Sequence, residues 1–316
     1  MELLTIILNY KDIYLSMKSS DVFSNNTYIL YKRVLDEFYI FLFDLVESNS
    51  AFTLENIDKI TLNTYMELLR NKNISISTRK LYLTIIKGFL KYIADDDLRR
   101  FGGLRNQIAG YSIKVRPTKA GSFSPEERIK ILNYTDKLEA AINSHELNYQ
   151  NIRDSLIIRL LLLTGLRATE LCNIKHCHVK DFNATLFEIE IINKGGELSE
   201  VFIKKSEMQY LMEKLTALNK TEIYLFQTER TGNQLNKKTL LNICNKHLRI
   251  LGIDKTGVHI FRHTFARHFQ SLGKEGQTLQ ALMRHKNYST TAKYYADVSK
   301  LEKSKIMAAA DNSRDL

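Results

Sequence analysis

Across residues 27–46 apolar side chains return every three or four positions, at Ile29, Leu30, Val34, Phe38, Phe41, Leu42 and Leu45. That period places them on one face of a helix. Residues 57–69 repeat the pattern, and Ser77 stands where it can cap a third helix running to Tyr92. The third helix is expected to pack through Leu81, Ile85, Phe89 and Tyr92, leaving Arg79, Lys80, Lys87 and Lys91 to meet solvent or phosphate. Nothing before residue 100 alternates with a period of two, which predicts an all-helical unit.

Periodicity lapses between about residues 101 and 122, where Phe101-Gly102-Gly103 and Arg116-Pro117-Thr118-Lys119-Ala120-Gly121 suggest a linker. Ser124-Pro125-Glu126-Glu127 then reads as a helix start, with Ser as cap, Pro at the first helical position and Glu at the third. Residues 154–163 form a strongly apolar helix that runs into Gly165. Residues 184–193 and 200–203 read as strands joined by a turn at Lys194-Gly195-Gly196, and helices resume from Lys205. The expected fold is mainly α with a small antiparallel β-sheet. It comprises a helical domain over 1–110, a linker over 111–122 and an α+β domain over 123–316.

A chain of 316 residues suits two such domains. Its 46 Lys+Arg against 35 Asp+Glu give a formal net charge of +11, which favours a polyanionic partner. The excess is concentrated between residues 228 and 294, where many Lys and Arg, among them Lys237 and Lys238, are opposed only by Glu229, Asp254 and Glu275. Clustered charge of that kind suits phosphate contacts. Three cysteines are too few for a disulfide framework. The N-terminus lacks the basic region of a signal peptide, and no apolar run approaches a membrane span, so a cytoplasmic, nucleoid-associated protein is expected.

Candidate chemistry lies in three motifs. Arg167 stands in Thr164-Gly165-Leu166-Arg167-Ala168-Thr169-Glu170-Leu171, and His259 and Arg262 in His259-Ile260-Phe261-Arg262-His263. His285 opens a run that ends on Tyr294. Breaking a phosphodiester without metal requires a nucleophile, cations around the non-bridging oxygens and an acid for the departing oxygen. Tyr294 can attack and conserve the bond as a phosphotyrosine. Arg167 and Arg262 can fork the phosphate oxygens, because guanidinium stays charged and its planar donors match phosphate. His285 can hydrogen-bond a non-bridging oxygen, and His259 can accept the tyrosine proton or stabilise the transition state. Taken singly, each residue has a plainer reading: Arg167 as a cation near a helix end, His263 and His268 as packed core histidines. Tyr288 and Tyr295 are rival nucleophiles. Cys172, His176, Cys177 and His178 match no common zinc spacing.

In this order, with G-L-R-x-x-E-L, H-x-x-R-H and H-x8-Y intact, these motifs resemble the tyrosine site-specific recombinase (integrase) family. The resemblance implies that Arg167, His259, Arg262, His285 and Tyr294 are catalytic and that Glu170 orients the cluster. It implies a catalytic lysine in a β-hairpin turn, which Lys194 fits, although Asn193, Glu197 and Ser199 depart from the family's more basic turn; Lys204 and Lys205 are the fallbacks. It further implies double-stranded DNA with inverted half-sites as partner, a homodimer on DNA, a homotetramer in the synapse with or without an accessory activator, and no cofactor or metal. The two-domain layout is similar to the Xer-type recombinases that resolve chromosome dimers at a dif-like site, with a transposon or plasmid integrase as competitor. A type IB topoisomerase and a catalytically silent DNA-binding protein are the readings from other classes. Val298, Leu301 and Ile306 form a loose apolar face, expected to dock on a neighbouring protomer or else in cis.

Overall fold

In a computed structural model, the described residues are 2–19, 25–115, 121–142, 148–193, 196–221, 223–272, 276–284 and 306–309. The chain divides into two compact units, Met1–Thr118 and Lys119–Leu316. Among the described residues no helix is long and apolar enough to cross a membrane.

The first unit contains α1 (Glu2–Ser19), α2 (Asn25–Ser48), α3 (Lys59–Asn71), α4 (Ile76–Asp96) and α5 (Leu98–Gln107). Val34, Leu35, Phe38, Phe41, Leu42 and Val46 carry α2 into the core, whereas Ile29 is exposed near its first turn. The cap of α4 is Ser75 rather than Ser77; its hydroxyl accepts the Thr78 N–H at 3.2 Å. Leu81 is exposed, because the buried stripe of α4 runs through Tyr82, Ile85, Ile86, Phe89, Leu90 and Ile93 instead.

The stretch around Gly102-Gly103 is helix α5, not linker. Helical glycines cost about 1 kcal/mol each relative to alanine. Here Asp97 caps the Arg100 N–H at 3.1 Å, and burial of Phe101 and Leu104 anchors the helix while Gly103 faces open space.

The second unit contains α6 (Pro125–Ile142), α7 (Tyr149–Thr164), α8 (Ala168–Cys172), β1 (Val179–Asp181), β2 (Leu186–Ile192), β3 (Leu198–Lys204), α9 (Lys205–Leu218), α10 (Lys237–Ile250), α11 (His259–Ser271) and α12 (Gly276–Met283). The start of α6 is reciprocal: the Ser124 hydroxyl accepts the Glu127 N–H, and the Glu127 carboxylate accepts the Ser124 N–H. The sheet is antiparallel in the order β1-β2-β3, with Ile189 opposite both Val179 and Val201. Three-residue β1 is too short to show alternation and was not expected from the sequence.

Helix α7 is buried on every side from Ile152 to Thr164, its polar residues Arg153, Asp154, Ser155 and Arg159 included. Its buried charges are paired. Asp154 holds Arg153 at 2.8 Å and His247 of α10 at 2.9 Å, and His247 in turn meets the Tyr134 hydroxyl of α6 at 2.8 Å. Arg159 reaches Asp136 at 2.7 Å.

Gly165 ends α7 in the left-handed region, at φ 61°. A Cβ there would stand 2.6 Å from the Phe265 ring of α11. Helix α11 is held further by the Phe123 N–H donating to Thr264 Oγ1 at 2.8 Å and by an edge-on contact of Phe123 with Phe261. Phe202, Phe265, Phe269, Leu282 and Met283 form a second small core, which receives Met307 from the helical turn at 306–309. In the single chain this part of the tail therefore packs in cis; Val298 and Leu301 lie outside the described residues.

Gly165→Ala should combine left-handed strain with overlap on Phe265, destabilising the second unit by about 2–4 kcal/mol. Urea unfolding of the full chain measures this as an earlier transition of that unit, and an unshifted midpoint would contradict the packing.

Candidate active site

Arg167 follows the turn at Gly165 and caps the N-terminus of α8. One turn later, the carboxylate of Glu170 accepts the Arg167 backbone N–H at 2.8 Å and pairs with its guanidinium. The sequence spacing of three makes this fold-back possible, since positions i and i+3 share a helix face. Glu170 is almost fully buried while the Arg167 side chain keeps 26% exposure. Arg167 is therefore the member of the cluster open to a ligand.

Arg262 arrives from α11, one turn after His259. Its guanidinium donates to the carbonyls of Gly165 and Met283, tying the end of α7 to the end of α12. Arg284 enters from just beyond α12 and was not singled out by the sequence. It donates to the carbonyl of Gly165 and to Glu170, both at 3.2 Å.

Three guanidiniums thus gather around the end of α7, and two of them, those of Arg167 and Arg284, share the Glu170 carboxylate. Burial opposes the charged form of Glu170, but the charge of Arg284 and the N–H and guanidinium of Arg167 outweigh it and hold its pKa below the ordinary glutamate value. Burial first, then the charges of Arg284 and Arg167, push Arg262 down to about 9, so it stays protonated at neutral pH. The pocket keeps an excess of positive charge that a bound anion would relieve.

His259, the first residue of α11, is exposed and lies on the same helix face as Arg262. His263 is exposed too, not a packed core histidine, because α11 turns Ile260, Phe261, Thr264 and Phe265 inward. Partial desolvation, then the charges of His259, Arg262 and Arg267, lower its pKa. His268 is half-buried, edge-on to Phe269.

Three of the residues whose spacing matches no common zinc site are engaged separately. Cys172 is buried, His176 meets Asn219 at 3.0 Å, and His178 accepts the Lys175 N–H at 3.3 Å. Among the described residues no group of three metal-ligating side chains occurs.

Strands β2 and β3 close as a hairpin whose Asn193 N–H donates to Glu197 at 2.8 Å. Lys194, at this turn, lies outside the described residues, as do His285, Tyr288, Tyr294 and Tyr295. Lys205 pairs with Asp181 and lies over the Phe187 ring, which commits it to the sheet. Lys204 ends β3.

Lys237 and Lys238 are exposed at the start of α10. Burial raises the Cys172 thiol to about 11 against the opposing charge of Lys237, which places the start of α10 near α8. In the first unit Lys80 and Lys91 are exposed and Arg79 is half-buried. Lys87 is half-buried as well and donates to the Tyr111 carbonyl at 3.0 Å. Its pKa is lowered by burial first and then by Lys91 and Lys59, so these three lysines gather on one face. Lys59 was missed. Its signal is a cation at the first position of a helix, where the dipole disfavours it.

Residues 132–302 match the phage integrase family model. The chain belongs to that family. It is 26% identical over 284 residues to the tyrosine recombinase XerC of Staphylococcus saprophyticus, with 88% of each chain covered. To XerA of Pyrococcus furiosus it is 30% identical over 237 residues, covering 73% of each. Among solved structures it resembles the XerH recombinase in a post-cleavage complex with palindromic difH substrate, at TM-score 0.68 and 20% identity, covering 98% of this chain and 96% of that one. A lambda integrase tetramer bound to a Holliday junction follows the same fold, at TM-score 0.62 and 15% identity, covering 92% and 77%. The protein is a Xer-like tyrosine recombinase, an enzyme that cleaves and rejoins DNA.

Glu170 has a depressed pKa in the folded state. Its stabilisation is therefore complete above the unfolded value of about 4.3 and is lost as pH falls through the lower folded value. The stability advantage of the parent over Glu170→Gln in urea should be full at neutral pH and shrink below that value. An advantage independent of pH would show that the carboxylate is not charged in the cluster.

Proposed function

We propose that this recombinase acts at a dif-like site, resolving chromosome dimers during cell division and chromosome partition, with Tyr294 as nucleophile. The observation that carries the catalytic reading is the convergence of Arg167 and Arg262 on the Gly165 turn, held by Glu170 with positive charge to spare. The Xer-type role is supported by the resemblance to XerC over most of both chains and by the difH substrate of the XerH structure.

Tyr294 attacks the scissile phosphorus, and the bond to the 5′-oxygen breaks, leaving a 3′-phosphotyrosine and a 5′-hydroxyl. Arg167 and Arg262 fork the non-bridging oxygens as charge builds on them. His285 hydrogen-bonds the same oxygens, and His259 accepts the tyrosine proton or stabilises the transition state. Lys194 protonates the departing 5′-oxygen. Attack by a 5′-hydroxyl on the phosphotyrosine reverses each transfer and reseals the strand.

Two protomers on inverted half-sites and four in a synapse would exchange strands through a Holliday junction, as the lambda integrase dimer and tetramer structures suggest by analogy. Phosphate contacts come from Lys237 and Lys238 in the second unit and from Arg79, Lys80, Lys87 and Lys91 in the first, Lys87 contributing through its field more than by direct reach.

The test is a nicked duplex bearing paired half-sites that this protein selects from a random-sequence library, so that the cleaved end escapes. A covalent adduct at one defined position is expected. Adducts throughout the duplex would indicate a topoisomerase, and none a silent DNA-binding protein. Tyr294→Phe should bind but form no adduct; an adduct from that variant would redirect the assignment to Tyr288 or Tyr295. Arg167→Ala and Arg262→Ala should each lose about 2.7–4 kcal/mol of transition-state stabilisation, roughly 10²–10³ in cleavage rate.

Lys194→Ala should cleave the ordinary phosphodiester poorly and recover on a bridging 5′-phosphorothiolate, whose sulfur leaves without an acid. Absence of that recovery, or its appearance with Lys204 or Lys205 variants instead, would move the general acid elsewhere.

A further inference from the structure

Residue 284 carries two costs at once. Its backbone sits in the left-handed region at φ 54°, where a residue with a Cβ is strained by about 1–2 kcal/mol. Its guanidinium is also buried, with side-chain exposure of 3%, and burying an ion is expensive unless it is well paired. The pairing is incomplete: Nη1 donates to the carbonyls of Leu282 at 2.9 Å and Thr164 at 3.4 Å, Nη2 to Gly165 and Glu170, while Nε is buried without a partner among the described residues. A glycine would meet the backbone's need with neither cost. The side chain must supply something other than stability of the turn.

Its surroundings indicate what. Glu170 offers one oxygen to the Arg167 guanidinium and the other to both the Arg167 N–H and Arg284. Left alone with Arg167, a buried carboxylate would neutralise that guanidinium and hold it as a closed ion pair. Shared with Arg284, the same carboxylate is divided between two cations. Glu200 of β3, which lines the same small cavity as Arg284, adds a weaker attraction. The positive φ gives residue 284 a second role, because its carbonyl accepts from Arg167 Nη2 at 3.4 Å. Arg284 therefore bears on both groups that fix the direction of Arg167: it shares the Glu170 carboxylate and supplies this carbonyl.

We infer that Arg284 is a positioning residue for strand cleavage: it draws part of the Glu170 charge to itself and leaves Arg167 cationic and aimed outward at the scissile phosphate. This rests on the phosphate role proposed for Arg167. Preorganised charge of this kind acts on the transition state without reorganising when the substrate arrives.

Cleavage by the full chain is measured under single turnover, at saturating protein, on the nicked selected duplex, with half-site affinity and thermal unfolding followed in parallel. Arg284→Met should cleave about 10–100-fold more slowly, the usual cost of losing a group that supports a site from behind, with half-site affinity little changed. Arg284→Lys, which keeps the charge beside Glu170, should recover most of that loss.

The decisive measurement is Glu170→Gln in two backgrounds. In the parent it should slow cleavage, since Arg167 loses its brace. Combined with Arg284→Met it should speed cleavage relative to Arg284→Met alone, because no carboxylate then neutralises Arg167. A double variant as slow as Arg284→Met, or slower, would overturn the inference and leave Arg284 as a packing element. Unfolding of the Met, Lys and Gly variants at position 284 alike would overturn it in the same way. If the parent forms no adduct on the selected duplex, the proposed function fails; if the parent cleaves and Arg284→Met matches its rate, only the role of Arg284 falls.

Discussion

The carbonyl at the end of α7 is where the second unit's architecture and its chemistry meet. Gly165 leaves the helix in the left-handed conformation, so its carbonyl turns away from the helix axis and accepts from two guanidiniums, those of Arg262 and Arg284. The missing side chain is equally necessary, because the Phe265 ring fills the space a Cβ would need. One residue thus lets α11 approach α7 and gives its arginine a fixed acceptor. Everything that brings Arg262 beside Arg167 passes through that contact, for the two arginines stand 95 positions apart in the chain.

Around this point the protein concentrates positive charge that its own carboxylate only partly answers. Two other buried arginines of the unit are matched by carboxylates: Arg153 by Asp154, Arg159 by Asp136 and Glu139. Such pairs recover enough Coulomb energy to be tolerated in a core. The cluster at Glu170 departs from that rule, and the depressed pKa of Arg262 registers its burial first and then the like charges of Arg284 and Arg167. That imbalance is what the phosphate role proposed for Arg167 and Arg262 requires, since preorganised positive charge stabilises an anion.

The two units were legible to different degrees. The capping box at Ser124 and Glu127 and the break after α7 follow from residue type alone, since proline, serine and glycine each fill one backbone role there. Helix α5 was not legible, because its paired glycines mimic a linker until Phe101 and Leu104 find a core. The exposure of Leu81 on α4 has a related reason: the helix packs against α1, α2, α3 and α5, which centres its buried stripe on Tyr82, Ile86, Leu90 and Ile93 and leaves Leu81 outside it. His263, read as core, faces outward because α11 packs on one side only.

Motif order and spacing by themselves determined the family, the chemistry and most of the candidate residues, because a phosphoryl-transfer site needs particular functional groups and a helix turn fixes which neighbours share a face. Arg167 with Glu170, and His259 with Arg262, are local pairs of that kind. Arg284 shows what local reading cannot supply. In the chain it is one cation among many in a basic stretch, indistinguishable from those that face solvent. Only folding buries it against Glu170 and two carbonyls at the end of α7, more than a hundred residues away, since burial and pairing are properties of the assembled core and not of any segment.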